Sequence, residues 1–304
     1  MLGKSVSGYY CWRRRLPSPR SVRHAMLLEV IGEIHHASRG TYGARRVHAE
    51  LTQGRGIIVA RCTVELVMCR NGLAGLPGRR PRRKVPNQPT ASDLVDRQFA
   101  RDGSDHLWVT DITEHPTREG KIYCAVVLDA YSRRVVGWAI DSRPHATLAI
   151  NALAMAIENR QPAGSIIHSD HGAQFTSWAF TQRALDSGLS QSMGSIGDCF
   201  DSAVIESFWE RMQVELLNRR RWRTLLELSN VIFEYLEIFH NRQRRHSSLG
   251  MLTPVEYEIA TPPPLPEVKQ ADCAKSGTHQ ATTVSCDNRG GCPWVEGIEG
   301  SPLG

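Results

Sequence analysis

Asp111, Asp170 and Glu206 are the residues whose types and settings could do chemistry together. Asp111 sits in W-V-T-D-I-T, Asp170 in H-S-D-H-G-A-Q-F-T-S, and Glu206 in D-C-F-D-S-A-V-I-E-S-F-W. Hard divalent cations prefer carboxylate oxygens, and Mg²⁺ typically takes only one or two carboxylates beside water and substrate phosphate. Two such ions about 3.5–4 Å apart can activate an attacking oxygen and stabilise a leaving one at phosphorus. Three acids with open coordination positions would suit that task. The sequence holds 31 acidic residues, so some trio fits almost any spacing by chance. What distinguishes these three is the element each must occupy.

Those elements can be read from the pattern of apolar residues. Leu107 to Thr113, Lys121 to Asp129 and Arg134 to Ile140 read as strands with short connections, which predicts an antiparallel meander with Asp111 in its first strand. An Ala/Leu-rich helix follows over Ala146 to Asn159, then a fourth strand over Ser165 to His168 leading to Asp170. Gly172 permits a tight turn there. A helix from about Ser177 to Asp186 and a short fifth strand near Leu189 come next. Asp201 opens a helix to about Asn218 that carries Glu206. Thr224 caps a longer one to about His240, with Leu225, Leu228, Ile232, Tyr235, Leu236 and Phe239 at core spacing. Strand–strand–strand–helix–strand–helix–strand is the order of an α/β, ribonuclease H-like fold, in which the first and fourth strands are neighbours. Order alone does not fix function. Glu210, one turn beyond Glu206, is the rival third ligand. Asp129 suits a turn cap better than the site. His168 and His171 flank Asp170, where phosphate contact and strand-end packing both stay open.

The charge is uneven. Residues 1–90 carry 17 Lys and Arg against 4 Asp and Glu, a balance of +13, and the rest of the chain carries −7. A basic front joined to an acidic rear suggests an arm that neutralises phosphates beside a body with another task. After the aromatic-basic stretch S-V-S-G-Y-Y-C-W-R-R-R, helical patterns run from His24 to Ala37, Tyr42 to Leu51 and Arg61 to Arg70, with glycine turns between them. Three short helices rich in arginine suit a small all-α helix-turn-helix-like domain whose last helix enters the major groove. Arg45, Arg46, Arg61 and Arg70 are its candidate DNA contacts. Arg79, Arg80, Arg82, Arg83 and Lys84 lie in a Pro/Gly-rich basic linker able to track a DNA backbone. Arg242, Arg244 and Arg245, with His246, form a further basic cluster after the last long helix, expected to face DNA. The eight cysteines are dispersed without a C-x-x-C pair, which predicts reduced thiols in a cytosol rather than disulfides or zinc. No apolar run approaches the roughly 18 residues of a membrane span.

Thirty-five residues separate Asp170 from Glu206. With S-G-Y-Y-C-W, Y-G-A-R-R-V-H-A-E-L and H-N-R-Q-R-R-H-S-S-L-G-M-L-T-P-V-E-Y, the chain resembles the second-reading-frame (OrfB-type) transposases of bacterial insertion sequences, in the retroviral-integrase D-D-(35)-E superfamily. The likeness spans about residues 7–258. It implies a metal site of Asp111, Asp170 and Glu206, holding Mg²⁺ or Mn²⁺ as two ions. It also implies cleavage that frees 3′-OH ends and strand transfer of those ends into target DNA. The partners implied are element ends and target DNA, further copies of the chain assembled on DNA, and an upstream helix-turn-helix product joined by frameshifting. The setting implied is the bacterial cytoplasm at the nucleoid. Ser202 stands where the family usually has Asn, and Gln213 where Lys is frequent, so a DNA-binding remnant without catalysis stays open as the second reading. A nuclease that cleaves without joining is a third.

The expected division is an N-terminal segment (1–22), a helix-turn-helix-like domain (23–74), a basic linker (75–92), an integrase-type catalytic core (93–260) and a disordered tail (261–304). Removing residues 1–90 is expected to leave the remainder folded. The Pro-rich, polar tail cannot bury enough apolar surface to offset its ordering entropy. Ending the chain at Ala260 should therefore leave melting temperature and strand transfer unchanged, and a clear loss of either would show that the tail docks.

Overall fold

The computed structural model describes residues 5–77, 103–193 and 203–262. The linker cations Arg79, Arg80, Arg82, Arg83 and Lys84, the loop with Asp198, Asp201 and Ser202, and the tail from residue 263 lie outside the described residues.

The aromatic-basic stretch is a helix, α1 (Val6–Arg14), started where Ser5 accepts from the Gly8 amide, and it buries none of its residues. Helix α2 (Pro19–Ala37) begins five residues before its apolar stripe, because Ser18 accepts from the Ser21 amide and Pro19 occupies the first turn. It buries Leu27, Ile31 and Ile34 and ends at Arg39 and Gly40, both with φ near +60°. The second helix is shorter than its periodicity predicts. α3 (Ala44–Ala49) loosens into a π turn over Glu50–Gly54. α4 (Arg61–Arg70) buries Val64, Val67 and Met68 as its spacing predicts.

The three-strand meander forms as expected: β1 (Leu107–Pro116), β2 (Lys121–Asp129) and β3 (Val135–Asp141) pair antiparallel. Helix α5 (Ala146–Arg160), β4 (Ile166–Ser169), α6 (Trp178–Asp186) and β5 (Ser190–Met193) follow. The sheet order is β3-β2-β1-β4-β5, with β4 parallel to β1 and β5 parallel to β4. Alternation along β1 separates two cores: Trp108 packs with α5 and α6 on one face, and Val109 packs with the rear helices on the other. Gly137 shows how closely α5 lies on the sheet, since a Cβ there would stand 2.2 Å from the Ala152 carbonyl oxygen.

The rear helices are α7 (Ala203–Glu215), α8 (Leu225–Phe233), which runs on as a π segment over Glu234–Gln243, and α9 (Pro254–Ala260). Thr224 caps α8 as expected by accepting from the Glu227 amide. The expectation of a separable front half is corrected here. Leu27, Ile31, Val47 and Leu51 of the first helices share one buried cluster with Phe208, Met212, Tyr235 and Phe239 of the rear ones. The Tyr42 hydroxyl donates to the Gln243 carbonyl and accepts from the Arg245 amide, each at 2.8 Å. Deleting residues 1–90 would strip this shared core, so loss of the N-terminal helices exposes apolar surface on the rear half. No helix among the described residues is long and apolar enough to cross a membrane.

Gly137→Val should destabilise the fold by about 3 kcal/mol, the upper end for overpacking, because backbone rather than a side chain must give way. Urea denaturation measures it; an unchanged midpoint would mean α5 sits further from the sheet.

Candidate active site

Asp111 sits on β1 opposite Val126, and Val109 pairs with His168 on the neighbouring strand β4. Asp111 and Asp170 each lie two residues beyond that pair. Parity therefore sends both side chains to the same face of the sheet. Gly172 closes the turn after Asp170: its amide donates to Asp170 Oδ1 at 2.9 Å, and a Cβ on Gly172 would stand 2.9 Å from that oxygen.

The third acid arrives on α7. Trp209, almost buried, donates its indole N–H to Asp111 Oδ2 at 3.0 Å, and the Ile112 amide donates to Asp111 Oδ1 at 2.7 Å. Trp209 is a residue the sequence argument missed. The signal was there: an indole three residues after Glu206 shares its side of the helix, and its N–H needs an acceptor when buried. The carboxyl of Asp111 is pushed up to about 6. Burial is the chief cause, the negative charges of Asp170 and then Glu206 add to it, and the Ile112 and Trp209 donors oppose it. Asp170 and then Glu206 are the acids whose charge raises Asp111.

Among the described residues, no three His, Cys, Asp or Glu side chains form a group that could hold a metal ion. The acids meet as neighbours in charge rather than as a closed ligand cage. Their chemistry still fits a hard cation. Asp111 and Asp170 keep lone pairs beyond the hydrogen bonds they accept, and Glu206 is exposed. Glu206 and Glu210 both line a cavity of about 920 Å³ beside α7, walled across by Thr41, Arg46 and Pro77 of the N-terminal half.

Two other candidates have partners of their own. Asp129 is fully buried, and its carboxylate accepts from the Ser132 amide and hydroxyl and from the Asp105 amide, the turn-capping role its position predicts. His168 Nδ1 lies 3.2 Å from the Ser192 hydroxyl across the β4–β5 pair.

Residues 101–199 and 187–254 match models of the integrase core domain, and residues 23–83 match a helix-turn-helix-like domain. The IS600 31 kDa protein of Shigella sonnei is 38% identical over 84% of this chain and 96% of its own length. The IS629 transposase of Shigella sonnei is 35% identical, covering 83% of this chain and 86% of that protein. The InsF transposase of IS3A from Escherichia coli K12 is 33% identical, covering 83% and 89%. The chain belongs to the insertion-sequence transposases with an integrase core. Among solved structures, the HTLV-2 integrase catalytic core domain covers 51% of the chain and 97% of its own at 17% identity, with a TM-score of 0.40.

In this transposase the basic residues divide sharply. Arg45, Arg61, Arg70 and Arg242 are exposed, Arg61 pairing with Glu65 one turn on. Arg46 is half-buried, 3.6 Å from Glu215. The expectation that Arg244 and Arg245 face DNA is corrected, since they are 1% and 2% exposed and His246 is buried with them. Arg244 donates to both oxygens of Glu215, at 2.8 and 2.7 Å. Arg245 pairs with Glu50 at 2.6 Å and Glu256 at 3.0 Å. Buried guanidinium groups must be paired, and these pairs join elements remote in sequence.

Burial alone would raise the Glu215 carboxyl, but the hydrogen bonds and charge of Arg244, with Arg46 and Tyr235, hold it below its ordinary value of 4.5. A depressed carboxyl contributes stability that is complete above 4.5 and is lost as pH falls through its lowered folded-state value. Arg244→Ala should cost about 3 kcal/mol at neutral pH, because Glu215 is left buried without its bidentate partner. Denaturation curves of variant and parent should converge in acid below the ordinary carboxylate range. A gap that stays constant into acid would remove Glu215 as the cause.

Proposed function

We propose that this transposase holds Mg²⁺ or Mn²⁺, as two ions, between Asp111, Asp170 and Glu206, and uses them to cleave element ends to 3′-OH and join those ends to target DNA. The observation that carries the reading is the strand pairing that brings Asp111 of β1 beside the end of β4 that leads to Asp170, with Trp209 of the Glu206 helix donating to Asp111. When bound, the ions supply Lewis-acid stabilisation of charge at phosphorus and activate the attacking oxygen. The protein's own part is orientation. The Ile112 amide and the indole hold Asp111, the Gly172 turn holds Asp170, and α7 carries Glu206 exposed on the same helix as that indole.

The helix-turn-helix-like part (23–74) and the linker (75–92) are assigned to DNA, through exposed Arg45, Arg61 and Arg70 and the linker cations. Residues 93–260 are assigned to catalysis, and the tail from 261 to neither task. Exposed Arg242 remains a candidate DNA contact on the rear helices. The working form we assign is a homo-oligomer on DNA in the bacterial cytoplasm, at the nucleoid, made as a fusion with the upstream reading-frame product.

Glu206→Gln should lower the rate of Mg²⁺-dependent cleavage and strand transfer on labelled element ends on the order of 10³-fold or more. End binding should persist, since phosphate contacts come mainly from cations. Glu210→Gln should be milder. Trp209→Phe keeps the ring and removes the donor, so it should cost about 10–100-fold, with a higher Mg²⁺ requirement. A dead Glu210→Gln beside an active Glu206→Gln would move the ligand by one turn. Full catalysis in both would overturn the metal site.

A further inference from the structure

A second cavity, of about 290 Å³, lies beside α7, lined by Arg133, Ser207, Arg211, His240, His246 and Ser248 together with apolar side chains. None of its lining residues is acidic. Arg211 is exposed on α7, and Arg133 is half-buried in the turn between β2 and β3.

The carboxylates whose charge reaches these two arginines are already committed. Asp129, which acts on Arg133, is taken up by the Ser132 and Asp105 donors. Glu215, which acts on Arg211, is held by Arg244. The next arginine in the same turn, Arg134, does find a carboxylate, Glu258, at 2.6 Å. Arg211 instead acts on Arg133 as a like charge. The histidines at the floor register the same field. Burial first, and then the charges of Arg244 and Arg211 among others, hold His246 well below its ordinary value, and His240 is lowered to about 4. The floor is therefore neutral imidazole under two cations, which is a setting for an anion.

The backbone adds an independent observation. Arg133 has φ +62°, a conformation in which a non-glycine residue is uncommon and Asn costs less. Arg39, Asp105, Gln161 and Met251 share this conformation among the described residues, and at the β2–β3 turn it means that Asn can replace Arg133 without added backbone strain. A guanidinium matches a phosphate oxygen pair in a planar fork, and two of them on facing walls can grip one phosphate group.

We infer that the cavity between α7 and the β2–β3 turn binds a backbone phosphate of DNA through Arg133 and Arg211. The assignment rests on the transposase reading above, but it does not involve the carboxylates and needs no metal. It gives the rear half a phosphate contact of its own, next to the larger cavity that Ser207 and Arg211 also line together with Arg46.

The test uses the full chain in EDTA, with Arg133→Asn, Arg211→Gln and the double variant. Inorganic phosphate at matched ionic strength should raise the melting temperature of the parent and not of the double variant. The slope of log Kd against log salt for a random duplex should fall by about 1 in the double variant. Arg133→Asn should melt at the parent temperature or above it, which separates a binding role from a structural one. A phosphate response kept in the double variant overturns the site, and so does a clear drop in the melting temperature of Arg133→Asn. A lost phosphate response with an unchanged salt slope overturns the assignment to DNA. Because no metal is present, these outcomes are independent of whether Glu206 is catalytic.

Discussion

The bidentate pair of Glu215 and Arg244 is the constraint on which the arrangement of the catalytic half depends. Moving a carboxylate and a guanidinium out of water costs several kcal/mol for each ion, and their attraction repays it only with good geometry and satisfied remaining valences. Here both conditions hold. Arg244 reaches both oxygens, and the Tyr235 hydroxyl donates to Oε2 at 2.9 Å. The Arg46 guanidinium stands 3.6 Å from Oε1. Such a pair adds little net stability over an apolar replacement, but it strongly disfavours every packing that would leave one partner alone. Glu215 ends α7, Tyr235 and Arg244 belong to the rear segment, and Arg46 comes from the N-terminal helices. One buried carboxylate therefore ties three separate stretches of chain in a single register.

Fixing α7 in this way also fixes its contact with β1. Its buried side carries Ile205, Phe208, Trp209 and Met212, and Trp209 closes the link to β1 by donating to Asp111. The same helix thus touches the ion-pair network at one end and the acid cluster near the other. A roll of α7 would break the indole hydrogen bond and unpair Glu215 together, so the two ends enforce one another. Arg245 extends the constraint to the last helix, because Glu256 both accepts from Arg245 and completes the capping box with Thr253.

The sheet and its acids were legible in the sequence because their signals are local. β2 runs over Lys121–Asp129, the span its apolar run predicts, and Ser177 and Thr224 cap the helices they precede. Asp111 and Asp170 could be placed together once β1 and β4 were read as neighbours. What was not legible is pairing at long range. R-Q-R-R-H looks like a solvated basic run, and nothing local says that Arg244 meets a carboxylate 29 residues upstream and Arg245 one 195 residues upstream. The π segment over Glu234–Gln243 was hidden for a related reason. Its apolar spacing is helical, while the looser winding brings His240 to the Arg133 carbonyl and Asn241 to the Val135 backbone of β3. Those are tertiary bonds with no signature in periodicity.

This pairing changes what the charge asymmetry means. A balance of +13 over residues 1–90 reads as a phosphate-binding arm if every cation is free. In the folded chain Arg46 and Arg39 of that stretch approach Glu215 and Glu234 of the rear helices, while Arg245 of the rear reaches forward to Glu50. Part of the front's positive charge thus faces the acidic rear half of its own chain. Counting arginines therefore overstates the number of phosphates such a region neutralises, and with it the salt dependence of binding. The cations left for DNA are those without a carboxylate across a domain boundary, and their positions matter more than their number. Charge in this protein does two jobs at once, docking the halves to each other and leaving an exposed remainder for the polyanion, and only the folded structure separates them.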